Sequence, residues 1–99
     1  MKVNIQSVHF DADQKLIDFI ESKVLKLSSQ YDKIIETDVT LRIDKATNNE
    51  NKIAEIRLHV PGNDLYAKRQ CKSFEEATDQ SVDALKNQII KHKEKQKQI

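Results

Sequence analysis

The sequence predicts an α+β domain in the order β-α-β-β-β-α, a four-stranded sheet with two parallel helices on one face. Three observations lead there. Four stretches alternate apolar and polar residues with the period of a strand, and two longer ones repeat apolar residues at the three- and four-residue steps of a helix. Each strand has one apolar face, so both helices belong on the same side of the sheet. Cap and turn residues stand between these stretches.

Residues 2–10 read as the first strand, with Val3, Ile5 and Ser7 on one face and Lys2, Asn4 and Gln6 on the other. Asp11 or Asp13 caps the first helix. Its apolar stripe is Leu16, Phe19, Ile20, Val24 and Leu27, and Ser28-Ser29 closes it. Tyr31 and Ile34-Ile35 tuck the connection against the core. Residues 37–45 alternate Val39, Leu41 and Ile43 with Thr40, Arg42 and Asp44, and a polar turn follows over residues 46–51. Residues 53–60 alternate again, Ala54, Ile56, Leu58 and Val60 against Glu55, Arg57 and His59. Pro61-Gly62-Asn63-Asp64 is a turn signal, since Pro presets one dihedral and Gly or Asn tolerates a positive one. Residues 65–71 form the fourth strand. Ser73-Phe74-Glu75-Glu76 then has the form of a capping box that opens the second helix. Phe74, Thr78, Val82, Leu85, Ile89 and His92 mark one face of that helix, which runs to Lys97, with residues 96–99 fraying.

Ninety-nine residues suit one domain, and the 37% hydrophobic content is too well phased for disorder. No apolar run approaches the roughly 18 residues of a membrane span, and the opening Met1-Lys2-Val3-Asn4 runs straight into a strand, with no signal peptide visible. The lone Cys71 excludes an internal disulfide and fits a reducing cytoplasm. With 17 Lys+Arg against 16 Asp+Glu the net charge is +1, so any RNA binding must use a segregated patch.

Such a patch is predicted by the chain direction. Both helices carry acids early and lysines late, an order that suits the helix dipole. Counting strands up and down makes the helices parallel, so their lysine-bearing ends share one edge. Lys23, Lys26, Lys86, Lys91 and Lys93 then form one basic surface, with Lys33 just beyond the first helix and Lys95 farther along the second. At about 100° per residue, Lys86, Lys93 and Lys97 lie on one flank of the second helix, and Lys91 and Lys95 on the other. The acidic first half of that helix is expected to face away from RNA. For a lone basic helix end a solvated, solubilising face is the simpler account; convergence of two ends favours a phosphate-binding ridge.

The other candidate chemistry is thinner. The outer sheet face shows Thr40, Arg42, Asp44, Glu55, Arg57, His59, Tyr66, Lys68 and Gln70, a mixture typical of a solvated face with cross-strand pairs. Arg42, Arg57 and Lys68 are candidate secondary phosphate contacts on this face. An RNA-stacking sheet calls for two or three aromatics and only Tyr66 is present, so no base stacking is expected there. His9, His59 and His92 are scattered, which argues against a metal. Cys71 has a basic neighbour in Lys72 but no histidine placed to pair with it, and a single glycine leaves no phosphate loop. No enzymatic activity and no cofactor is expected.

With these elements in place, the chain resembles the ribosome hibernation-promoting factors, in the short form related to ribosome-associated inhibitor A, also called protein Y. The segments that carry the likeness are Val3-Asn4-Ile5-Gln6, Lys23-Val24-Leu25-Lys26-Leu27 before Tyr31-Asp32-Lys33-Ile34, Leu65-Tyr66-Ala67, and the run from Ala84 through Lys95. It spans essentially the whole chain and rests on order and spacing rather than on one stringent motif. The resemblance implies a fold akin to the double-stranded-RNA-binding domain with an extra first strand. It also implies binding in the decoding channel of the small ribosomal subunit, overlapping tRNA and mRNA and blocking translation in stationary or stressed cells. Lys23 and Lys26 match the family's first-helix lysines, and Lys91 and Lys93 its second-helix run. Asn87 stands where relatives commonly carry arginine, leaving Lys86 to substitute or the contact absent. Phe74-Glu75 replaces a common Met-Tyr pair. The C-terminal domain by which long members pair ribosomes is not expected here, and residues 1–99 are taken as one ribosome-binding domain, monomeric off the ribosome. Two alternatives remain open: an adaptor of sigma-factor-modulator type, binding a protein through the mixed-charge sheet face, and a small enzyme of ferredoxin-like build.

Overall fold

The computed structural model describes residues 1–45 and 49–97. The middle of the expected polar turn, Ala46-Thr47-Asn48, and the last two residues of the expected frayed tail, Gln98-Ile99, lie outside the described residues. The elements are β1 (Lys2–Ser7), α1 (Gln14–Gln30), β2 (Glu36–Ile43), β3 (Lys52–Val60), β4 (Asn63–Cys71) and α2 (Phe74–Lys97). They form one sheet of order β1-β2-β3-β4, in which β1 runs parallel to β2 and the other neighbours are antiparallel. The parallel pair needs a crossover, and α1 supplies it.

The apolar face of every strand meets the helices. Val39 and Leu41 of β2, Ala54, Ile56, Leu58 and Val60 of β3, and Leu65, Ala67 and Cys71 of β4 share one core with Ile20, Val24 and Leu27 of α1 and Ala77, Val82, Leu85 and Ile89 of α2. Burying each large aliphatic side chain contributes about 1.5–3 kcal/mol. Phe10, ahead of α1, stacks on Phe74 at 5.0 Å and 8°, clamping the N-terminal ends of the two helices. In this core Thr78 is buried with its hydroxyl unpartnered among the described residues.

The caps follow the sequence. Asp13, not Asp11, caps α1 by accepting from the Leu16 amide at 2.8 Å, and Ser73 accepts from the Glu76 amide at 3.1 Å to open α2. The two-residue β3–β4 turn is Pro61-Gly62, with Gly62 at φ 82, the positive value a type II turn needs at its second central position.

Several boundaries differ from expectation for local reasons. β1 stops at Ser7 because His9 adopts φ 64, turning the chain out of the strand. The Ser28-Ser29 pair does not close α1. Their hydroxyls donate to the Leu25 and Lys26 carbonyls at 2.6 and 2.7 Å, so they sit inside a helix that continues to Gln30. Ile43, expected inward, is exposed at the end of β2, while Thr37 is fully buried. Ile53 is buried on the outward parity of β3, outside the main core. Its register neighbours are Arg42 and Gln70, and Gln70 crosses over it to donate to Asp44 at 3.1 Å.

Candidate nucleic-acid interface

Contacts at both ends of the helix pair show that α1 and α2 run in the same direction. Midway along α1, Lys23 Nζ meets Asp79 Oδ1 near the start of α2 at 3.1 Å. Past the end of α1, Tyr31 stands edge-on to the His92 ring at 5.6 Å, and Lys93 donates to the Gln30 carbonyl while lying 5.9 Å above the Tyr31 ring. The C-terminal ends therefore lie side by side. No cation of its own stands in the last turn of α1, and Lys93 from α2 serves its exposed carbonyl instead.

This packing sorts the lysines into two groups. Asp79, Lys86 and Lys93 recur at seven-residue steps, which is nearly one stripe of a helix. Since Asp79 and Lys93 touch α1, Lys86 lies between them on the flank facing α1, where it is half-buried and 3.9 Å from Asp83. Lys23 also lies 5.4 Å from the Phe19 ring centroid, whose face it covers. Lys26 and Lys33 are exposed on the α1 side. On the opposite flank of α2, Lys91 and Lys95 line a cleft of about 170 Å³ together with Asn63 and Leu65 at the start of β4. Lys26, Lys33, Lys91 and Lys95 have no carboxylate partner among the described residues, so they are the cations most available to phosphate.

Two residues that set this geometry carry no signal in the sequence. Gln88 donates its amide to the Tyr66 carbonyl at 2.7 Å and accepts from the Tyr66 amide at 3.3 Å. It thereby satisfies part of the open edge of β4 and fixes α2 against it, one turn before Lys91. Asp79 is the second. The acidic half of α2 is expected to face away from RNA, and Asp79 in that half pairs with Lys23, one of the candidate lysines. Side-by-side packing sets this acid of α2 against a lysine of α1.

The outer sheet face behaves as a neutralised lattice. Arg42 binds both oxygens of Glu55 at 2.6 and 2.7 Å, and Lys68 stands 3.8 Å from the same carboxylate. Arg57 is 3.6 Å from Asp64 and lies over the Tyr66 ring. His59 sits between Asp38 at 2.7 Å and Asp64 at 3.3 Å, and Asn4 donates to Asp38 at 2.9 Å. The hydrogen bond from His59, helped by that from Asn4, holds the Asp38 carboxyl below the usual range, and the bond to Asp38 raises His59. Arg42, Arg57 and Lys68 thus each have a carboxylate partner, unlike the free lysines at the helix ends. Burial pushes the Cys71 thiol up, away from the reactive thiolate. Among the described residues no three His, Cys, Asp or Glu groups are placed to hold a metal ion, and no helix is long and apolar enough to cross a membrane.

Comparison with known proteins agrees with this architecture. A protein of Pseudomonas putida named ribosome hibernation promoting factor is 32% identical over 99 residues, covering 100% of this chain and 93% of its own. A ribosomal subunit interface protein from Coxiella burnetii superposes with a TM-score of 0.83 at 20% identity, over 94% of this chain and 98% of that one. The N-terminal domain of Thermus thermophilus Protein Y does so with a TM-score of 0.77 at 21% identity, over 90% and 96%. At those identities the two structures speak for the fold. The family described as Sigma 54 modulation protein / S30EA ribosomal protein matches residues 3–97, and the chain belongs to it.

Proposed function

We propose that this protein is a ribosome hibernation factor: it binds the small ribosomal subunit in the tRNA and mRNA decoding channel and silences translation during stationary phase or stress. It acts by occupancy rather than catalysis, as one ribosome-binding domain, monomeric off the ribosome and working in the cytoplasm. The observation that carries this is the side-by-side packing of two basic helix ends, which concentrates cations in a chain of net charge +1. Relatives named ribosome hibernation promoting factor support the same assignment.

The primary RNA contacts are Lys26, Lys33, Lys91 and Lys95, with Lys23, Lys86 and Lys93 recruited from the groove between the helices. Each phosphate neutralised adds about 0.7–0.9 to the salt slope of binding. Arg42, Arg57 and Lys68 are secondary, because each must first leave a carboxylate. That same self-neutralisation makes the sheet face a weak electrostatic lure for a protein partner.

Co-sedimentation with purified small subunits tests the assignment. A variant with Lys23, Lys26, Lys86 and Lys91 changed to Glu is expected to stay in the supernatant while its circular dichroism matches the parent. If the folded variant still pellets with the subunit, the helix ends are not the binding surface.

A further inference from the structure

The outer sheet face contains a step. On β3 and β4, Arg57 and Tyr66 are register partners, and the Arg57 guanidinium lies 5.0 Å from the Tyr66 ring centroid. Together, guanidinium over ring, they form one wall. On β1 and β2 the neighbouring side chains are shorter, and Asn4, Gln6, Asp38 and Thr40 make a lower floor. The difference in height leaves a depression of about 300 Å³, the lower end of the range for small-ligand sites.

The chemistry of this depression is uneven in an informative way. Its charges are already compensated: Asp38 accepts from Asn4 and His59, and Glu55 at the rim is held by Arg42 through both oxygens. Gln6 and Thr40 have no side-chain hydrogen-bond partner among the described residues, so an amide and a hydroxyl remain unspent beside the wall. A phosphate is disfavoured by the two carboxylates. A flat, uncharged, hydrogen-bonding ring is not, since guanidinium planes and aromatic rings both stack on bases.

We propose that this depression is a nucleobase site, taking one unpaired base of single-stranded RNA. The base stacks on the Arg57–Tyr66 wall, its exocyclic amine donates to Asp38, and Gln6 and Thr40 read the remaining edge. The sugar and phosphate stay outside, on the side of Lys68. Sequence alone argued against stacking because Tyr66 is the one aromatic on this face; the guanidinium laid over it supplies the second stacking surface. Uracil has no exocyclic amine and binds weakest. The inference rests on the reading that the protein meets RNA, but it uses the face opposite the helices.

The test is titration of the intact, isotope-labelled protein with adenosine, cytidine and uridine trinucleotides, followed by NMR. Resonances of Gln6, Thr40, Arg57 and Tyr66 are expected to move, with adenosine and cytidine binding more tightly than uridine. Tyr66→Ala is expected to weaken binding about tenfold, and Tyr66→Phe to keep it. The four-lysine variant described above is expected to retain these shifts while losing the ribosome. Failure of the base site and failure of the ribosome reading are therefore separable. Shifts confined to helix lysines, equal affinity for uridine, or a short uncharged peptide displacing the trinucleotide from Arg57 and Tyr66 would each overturn the proposal.

Discussion

Removing an acid from α2 is expected to strengthen ribosome binding. Asp79 holds Lys23 at 3.1 Å, and the two side chains are 48% and 31% exposed, so the pair is partly solvated. Pairs of this kind contribute about 0.2–1 kcal/mol to stability, which is also what Lys23 forfeits when it turns to a phosphate. Asp79→Asn abolishes that competition and removes a negative charge from the edge of the proposed RNA-binding groove. The affinity for the small subunit is expected to rise about 1.4- to fivefold, the range that this pair energy converts to. Because Lys23 then contributes a full phosphate contact, the slope of log K against log salt steepens by about 0.7–0.9. Unfolding stability falls by no more than about 1 kcal/mol. The assay is equilibrium binding to small subunits across a salt series, with Glu75→Gln as the control: Glu75 is an exposed acid of the same helix, and no described lysine pairs with it. An unchanged slope, or an effect no larger than that of Glu75→Gln, refutes the placement of Lys23 at the interface.

Three further outcomes follow from the packing and electrostatics. Leu85 is fully buried between α2 and the sheet, so Leu85→Ala is expected to cost about 2–5 kcal/mol in urea unfolding, a large share of a small domain's stability. Thr78→Val removes the buried, unpartnered hydroxyl at nearly constant shape, and its urea midpoint is expected to equal or exceed the parent's; a clear loss of stability means that the hydroxyl has a partner after all. The His59–Asp38 pair gives stability a pH window. His59 is raised above its ordinary 6.5, so its contribution is complete below 6.5 and fades as pH rises through the raised value. Asp38 is lowered below 3.8, so its contribution is present above 3.8 and fades as pH falls through the lowered value. Urea midpoints are expected to peak between those limits, and His59→Gln to flatten the decline on the alkaline side. An undiminished decline in that variant assigns the dependence to another group.

Much of the fold was legible because its signals are local. Alternation in β2 and β3, the three- and four-residue stripe from Phe74 to Ile89, and the caps Asp13 and Ser73 all act within a few residues. The misplaced boundaries have equally local causes that composition conceals. Ser28 and Ser29 read as a helix stop, yet each hydroxyl has a carbonyl one turn back to bond. His9 ends β1 early through a positive φ that a non-glycine residue rarely adopts. The candidate site was legible only in part. The lysines and the parallel course of the helices follow from strand counting, but which lysines are spent and which are available does not. The same holds for Arg57 and Tyr66, whose stacking depends on the β3–β4 register.

By itself, the sequence determined the element order, the face each strand turns inward and the direction of both helices, because periodicity and chain polarity need no knowledge of distance. Tertiary structure alone decided how the charges are used. Lys93 and the Gln30 carbonyl are 63 residues apart, and Gln88 and Tyr66 are 22 apart. Whether such groups meet depends on packing angle, strand register and side-chain reach, none of which a pattern of residue types encodes.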